Sequence, residues 1–123
     1  GNDGNGINQT YPRYLLLDEP VTGLDPAHQH ALLSHAQRRA KQGYGVLAVL
    51  HDLNLASQYA DYVAIMRGGR IFYQGSPEDT FTRERIHAAF GVSADISVHP
   101  QTMRPQLVMW SGTQAYTAPN QEP

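Results

Sequence analysis

Two acidic residues and one histidine stand directly after short apolar runs, where a strand would hold them rigidly. Asp18 and Glu19 follow the run 14–17, and His51 follows the run 46–50. A carboxylate is the ligand that a hard cation such as Mg²⁺ prefers, and a second carboxylate can take a proton from an attacking water. A neutral imidazole can bond both a phosphate oxygen and that water. The three residue types together predict a metal-assisted hydrolytic site.

The elements around these residues predict that they share one edge of a sheet. Apolar runs without alternation are typical of parallel strands covered on both faces. Between the two runs, Asp25 and Pro26 predict the start of a helix over 26–42, which Gly43 ends. Strand, helix and strand then form a crossover unit whose strands end at the same edge. His51 is therefore expected on the same edge as Asp18 and Glu19.

The rest of the chain predicts a smaller α/β arrangement. Gly68 and Gly69 predict a hairpin turn between two strands, and Ser76 is a helix cap. The predicted elements are a helix over 53–60, strands over 62–66 and 71–74, helical stretches from 76 and over 83–90, and a last hairpin of 96–99 and 106–110. The glycine- and asparagine-rich residues 1–11 predict a flexible leader, residues 12–110 a folded domain, and residues 111–123 a loose tail.

Composition excludes several classes of function. The formal net charge is −2 and Lys41 is the only lysine, so no polycationic surface for nucleic acid is expected. There is no cysteine, which excludes disulfides and thiol catalysis and fits a reducing cytosol. No apolar run approaches the ~20 residues that cross a membrane, and no secretory signal is evident.

Each candidate residue also has a plainer interpretation. Asp18 and Glu19 would suit a solvated turn, and His51 a helix cap. Three further histidines lie on the predicted helix 26–42, where solvated surface positions are favoured over a metal or haem site: His28, His30 and His35.

LLLDEPVTGLD, followed after the helix by VLAVLHDLNLA, resembles the Walker B, D-loop and H-loop series of ABC ATPases. The resemblance implies the C-terminal part of a P-loop NTPase (RecA-like) parallel sheet flanked by helices, with a C-terminal hairpin. It implies that Asp18 binds Mg²⁺, Glu19 is the catalytic base of ATP hydrolysis, His51 is the switch, and Asp25 faces a partner subunit. Val21 departs from the small hydroxyl residue usual in the family.

The same resemblance implies partners and a location. It implies a homodimer with a second copy of the ATPase subunit, integral membrane permease subunits, and indirectly a periplasmic binding protein, at the cytoplasmic face of the bacterial inner membrane. The segment 51–61 is similar to importers of iron chelates, vitamin B12 and haem. Val98-His99-Pro100 and Arg104-Pro105 resemble the haem branch, with siderophore or vitamin B12 import as alternatives.

Two motifs of such ATPases are absent from the sequence. There is no G-x-x-x-x-G-K-[ST] phosphate-binding loop and no LSGGQ-type signature. The isolated chain is therefore expected to be inactive. A non-catalytic docking or dimerisation remnant stays open as a second hypothesis. A DNA-repair or chromosome-associated ATPase is disfavoured, because the hairpin and helices after residue 61 resemble those of transporters.

Overall fold

The computed structural model describes residues 11–112. Residues 1–10 and 113–123, on which nearly all of the predicted leader and tail fall, lie outside the described residues. The chain divides into two compact units, with the boundary between His51 and Asp52.

The first unit is a strand–helix–strand crossover. Strand β1 (Tyr14–Asp18) is followed by helix α1 (Pro26–Lys41) and strand β2 (Gly45–Val49). The strands pair in parallel, in a register that runs from Tyr14 opposite Gly45 to Asp18 opposite Val49. The apolar runs and the helix cap thus predicted the three elements correctly, with strand ends shifted by about one residue.

One face of the β1–β2 sheet is open, against the expectation that both faces are covered. Burial alternates along both strands, so that every second side chain is exposed. The exposed apolar residues are Tyr14, Leu16, Leu47 and Val49, which we call the open face. Helix α1 contacts β2, and its Leu33 and Ala36 are buried. An apolar run indicates that packing on both faces would be favourable, but it does not show that a second packing element is present.

Helix α1 carries favourable residues at both ends. The Asp25 side chain accepts the His28 N–H at the N-cap, and Pro26 occupies the first turn, where no N–H is needed. The last turn contains Arg38, Arg39 and Lys41, whose charges suit the negative end of the helix dipole. Gly43 then adopts a φ of +99°, which a residue with a Cβ rarely does.

Over residues 52–112, the second unit contains three short or medium helices and two hairpins. Its elements are α2 (Leu53–Tyr59), β3 (Val63–Arg67), β4 (Arg70–Gly75), α3 (Pro77–Thr80), α4 (Arg83–Phe90), β5 (Val92–Val98) and β6 (Pro105–Ser111). Both strand pairs, β3–β4 and β5–β6, are antiparallel. Strand β6 reaches Ser111, so the first tail residue belongs to the last hairpin. Strand β5 starts four residues before the predicted strand at Ile96.

The core of the second unit contains apolar side chains from both hairpins, from α4 and from Phe81 at the end of α3. Ile86 is fully buried, and the other core members are Val63, Ile65, Phe81, Ala89, Ala94 and Leu107. Ile86 and Ala89 are one helical turn apart, so α4 presents a single apolar stripe to the hairpins. This small core is what holds α4 against the two hairpins.

Helix α2 is attached to β6 by hydrogen bonds rather than by apolar contacts alone. The Asn54 side-chain amide donates to the Leu107 carbonyl at 3.0 Å and accepts the Leu107 N–H at 2.7 Å. Buried Ser57 donates to the Pro105 carbonyl at 2.6 Å. These bonds give partners to backbone groups of β6 that would otherwise have none once α2 covers them.

Within residues 11–112, no helix is both long and apolar enough to span a membrane.

Candidate functional site

The candidate site lies where β1 and β2 end. Asp18 is the last residue of β1, and its pairing partner Val49 is the last residue of β2. The ladder continues one step further, because the Glu19 N–H donates to the Val49 carbonyl at 2.9 Å. The carboxyl ends of the two strands are therefore held together where the acidic residues leave the sheet.

Glu19 has an unusual backbone. Its φ is +50°, in the left-handed region that costs a residue with a Cβ about 1–2 kcal/mol. The Thr22 N–H approaches the Glu19 carbonyl at 3.4 Å, and the Leu24 N–H bonds the Val21 carbonyl at 3.1 Å, so the turn is hydrogen-bonded. Strained backbones of this kind cluster at functional sites. The left-handed turn also takes the Glu19 side chain out of the alternation that the strand would impose.

Glu19 and His51 are in direct contact. His51 Nε2 lies 2.8 Å from Glu19 Oε2. An ionised carboxylate has no proton to donate, so the imidazole donates from Nε2 and the carboxylate accepts. The side chains are 74% exposed for His51 and 45% exposed for Glu19. The pair is therefore open to solvent and to a ligand, although 32 residues separate its members in the chain.

Asp18 has the chemistry of a Mg²⁺ ligand in a site that contains a single protein carboxylate. The residues that the structure describes contain no group of three histidine, cysteine or acidic side chains that would hold a metal alone. Mg²⁺ bound with phosphates commonly takes only one or two carboxylates and fills its octahedron with phosphate oxygens and water. The exposed carboxylate at the end of β1 fits that donor set.

Asp25 is bonded within α1 rather than to the other candidate residues. Its Oδ1 accepts the His28 N–H at 2.9 Å and contacts His28 Nδ1 at 2.7 Å. These contacts hold the pKa of Asp25 below its ordinary value, first through the His28 backbone N–H and then through its ring. His28 is exposed, as predicted for a surface histidine, and its ring also contacts Asp25. Its position three residues after an N-cap aspartate was the signal for the contact.

The residues that suggested a haem branch are part of the second unit's own structure. His99 Nδ1 accepts the N–H groups of Gln101 at 3.0 Å and Thr102 at 3.2 Å. Arg104 donates to the Ser57 carbonyl at 3.2 Å and to the Ala60 carbonyl, where α2 ends. These residues build the β5–β6 turn and cap a helix, so each has a structural role within the second unit.

The chain is similar in sequence to known ATP-binding proteins. No family model matches the sequence. The hemin import ATP-binding protein of Plesiomonas shigelloides is 50% identical over 93 residues, which cover 76% of this chain and 36% of that protein. The hemin import ATP-binding protein of Gloeobacter violaceus is 42% identical over 111 residues, covering 90% of this chain and 40% of that protein.

A solved structure of a metal-chelate type ABC transporter in an inward-facing conformation shares the fold. Its TM-score is 0.68 at 22% identity, covering 82% of this chain and 42% of that one. The likeness covers the α/β arrangement of strands and helices described above. The chain belongs to the family of ABC transporter ATP-binding proteins. It spans 36 to 40% of the length of the curated relatives named above.

The cap at Asp25 predicts an acid-sensitive helix. Because these contacts lower the pKa of Asp25, its ionised carboxylate stabilises the folded state at pH values above the ordinary pKa of 3.8. This stabilisation is lost as the pH falls through the lower pKa of the folded state. Asp25→Asn should retain the cap without titrating. Amide-exchange protection of α1 should therefore fall more between about pH 6 and about pH 2 in the parent chain than in Asp25→Asn.

His28→Ala serves as the graded control for this prediction. It removes the ring contact and leaves the larger contribution, the backbone N–H, so its acid sensitivity should lie between those of the other two chains. An equal loss of protection in the parent and Asp25→Asn would contradict the assignment.

Proposed function

We propose that this chain is part of the ATP-hydrolysing subunit of an ABC importer, and that its site couples ATP hydrolysis to transport. The observation that carries the proposal is the 2.8 Å contact between Glu19 and His51 at the strand ends, in a chain whose relatives are ATP-binding proteins. A base and a hydrogen-bonding imidazole are the groups that hydrolysis by water requires.

Each of the three residues has a separate task in this mechanism. Asp18 would hold Mg²⁺, which supplies charge neutralisation of the phosphates when ATP is bound. Glu19 orients the attacking water and accepts its proton, because an exposed ionised carboxylate is an acceptor only. His51 donates from Nε2, and the same N–H can pass from Glu19 to a γ-phosphate oxygen when the nucleotide is present. Asp25, bonded to His28, is proposed to face the partner subunit at the end of the turn.

Partners and location belong to this proposal, and family membership supports them. We assign a homodimer with a second copy of the ATPase subunit, bound to integral membrane permease subunits and indirectly served by a periplasmic binding protein. The complex would lie peripherally at the cytoplasmic face of the bacterial inner membrane. The names of the relatives, which are import proteins, support this arrangement.

Haem is the proposed cargo, with siderophore or vitamin B12 import as alternatives. Several relatives that are 42 to 50% identical are hemin import proteins. Similarity to these relatives is the support for haem. His99 and Arg104 add none, because they bond the β5–β6 turn and the end of α2. Cargo selectivity would then belong to the permease and the binding protein.

A non-catalytic docking or dimerisation module is the second candidate. It is favoured by one observation, the lack of a glycine-rich phosphate loop and of a signature motif in the sequence. The two candidates differ in whether Glu19 and His51 matter for turnover.

Substitutions at the contacting pair test the catalytic proposal. In the subunit that contains this chain, Glu19→Gln should retain nucleotide binding and lose turnover, because an amide is a weak proton acceptor. His51→Ala should act similarly, and each should lower the ATPase rate by about 10²–10⁴-fold. Steady-state phosphate release measures the rate, and nucleotide titration measures binding.

Matched controls for these variants are available on exposed helix positions. Glu84→Gln on α4 and His35→Ala on α1 make the same chemical changes away from the site, and should leave the rate within about twofold. A rate close to that of the parent in Glu19→Gln and His51→Ala would favour the docking module.

The isolated chain should neither bind nor hydrolyse ATP. Triphosphate affinity comes largely from the backbone N–H groups and the lysine of a glycine loop, and the sequence has neither. Calorimetric titration of the chain with Mg-ATP should give no binding heat. Micromolar binding would refute this expectation.

Growth on alternative iron sources tests the cargo. Deleting the gene for the whole subunit should prevent the use of haem as an iron source while leaving siderophore and vitamin B12 uptake intact. Complementation with the parent gene, but not with Glu19→Gln, should restore growth. Normal haem use beside a lost siderophore or vitamin B12 phenotype would replace the cargo without affecting the ATPase proposal.

A further inference from the structure

The first turn of helix α1 contacts the turn that precedes it through two consecutive side chains. The His28 ring lies 2.7 Å from Asp25 Oδ1, and the Gln29 side-chain amide donates to the Val21 carbonyl at 3.3 Å. Gln29 is half-buried, and Val21 is buried, with 7% of its surface exposed. Helix α1 therefore holds the turn 19–25 both near its middle and at its end.

The ring contact is more than a helix cap requires. An N-cap carboxylate needs to accept only a backbone N–H of the first turn, and the His28 N–H is accepted at 2.9 Å. The His28 ring approaches the same oxygen, and it donates from Nδ1 because an ionised carboxylate is an acceptor only. Two donors from different directions restrict rotation of the Asp25 side chain, which is 60% exposed. Asp25 is thus fixed in orientation and accessible to a second molecule.

The Gln29 contact belongs to the same turn that holds the candidate base. The Val21 carbonyl also accepts the Leu24 N–H at 3.1 Å, and the Thr22 N–H approaches the Glu19 carbonyl at 3.4 Å. Gln29 therefore shares its acceptor with a bond that closes the turn. Its contact holds the backbone of the turn, whereas the His28 ring holds the side chain of the last turn residue.

We propose that His28 is a positioning residue, whose ring fixes the Asp25 carboxylate in the orientation that a second ATPase subunit contacts. The inference rests on the proposed function, in which Asp25 faces that subunit. A side chain that is already ordered loses less conformational freedom on association, so the fixed carboxylate favours the dimer. His28 acts through Asp25 and does not itself contact the nucleotide.

The test measures dimerisation of the whole subunit that contains this chain. Mg²⁺ and a non-hydrolysable ATP analogue are present, so the result does not depend on turnover, and sedimentation velocity gives the dissociation constant. His28→Phe keeps an aromatic ring without its nitrogens, and should weaken the dimer about threefold to tenfold. His28→Asn places an amide donor at the same position, and should restore the dissociation constant to within about twofold of the parent value.

Two further measurements separate positioning from a general loss of structure. His35→Phe makes the same chemical change two turns further along α1, where the ring contacts Arg38 and Arg39 of the same helix. It should leave the dissociation constant within about twofold. Nucleotide affinity, titrated where the monomer prevails, and amide-exchange protection of α1 should be the same in His28→Phe and His35→Phe.

A second substitution tests whether His28 acts through Asp25. Asp25→Ser retains a side-chain oxygen that accepts the His28 N–H at the cap, and it removes the carboxylate. In that background, His28→Phe should change the dissociation constant by less than about twofold, because the contact is already lost.

Each of the other outcomes would overturn the inference. These are an unchanged dimer in His28→Phe, equal weakening by His35→Phe, no recovery in His28→Asn, and an undiminished effect of His28→Phe beside Asp25→Ser. A parent subunit that stays monomeric with the analogue would also overturn it. Turnover of Glu19→Gln is measured separately, so failure of this inference and failure of the ATPase proposal give different results.

Discussion

The parallel pairing of β1 with β2 is the constraint on which the candidate site depends. The ladder brings residues more than thirty positions apart to one edge, and the bond from the Glu19 N–H to the Val49 carbonyl carries it one residue past the strand. That bond, together with the hydrogen bonds of the turn after it, holds the left-handed backbone of Glu19 against its cost. The 2.8 Å contact with His51 is thus a consequence of register, and α1 is the connection that permits parallel register.

Sequence reasoning was most successful where one physical rule dominated. Apolar runs ending in Asp18 and in His51 predicted parallel strands with a shared edge, since crossover geometry leaves few alternatives. The Asp25–Pro26 cap likewise predicted the start of α1. The start of β5 was missed although Ser93 and Asp95 alternate with apolar residues, which is the pattern of a strand with one polar face. Its pairing with β6 gives these residues the backbone hydrogen bonds of a strand, and local composition does not report such pairing.

Other features could not be predicted from residue types alone. The positive φ of Glu19 depends on where the ladder ends, and glutamate has no preference for it. The contact of His28 with Asp25, and the two N–H groups bound by His99, depend on the direction of one ring nitrogen. Surface position alone favours solvation for such histidines. Each also bonds charged or backbone groups at the end of an element, where the helix or strand cannot.

A branch-specific sequence pattern can therefore reflect folding without reporting on cargo. Asn54 binds both backbone groups of Leu107, while Arg104 caps the end of α2. Asn54 lies on α2 and Arg104 in the turn before β6, and both attach α2 to the last hairpin. A change on one side leaves buried polar groups unsatisfied on the other, so the positions are constrained jointly.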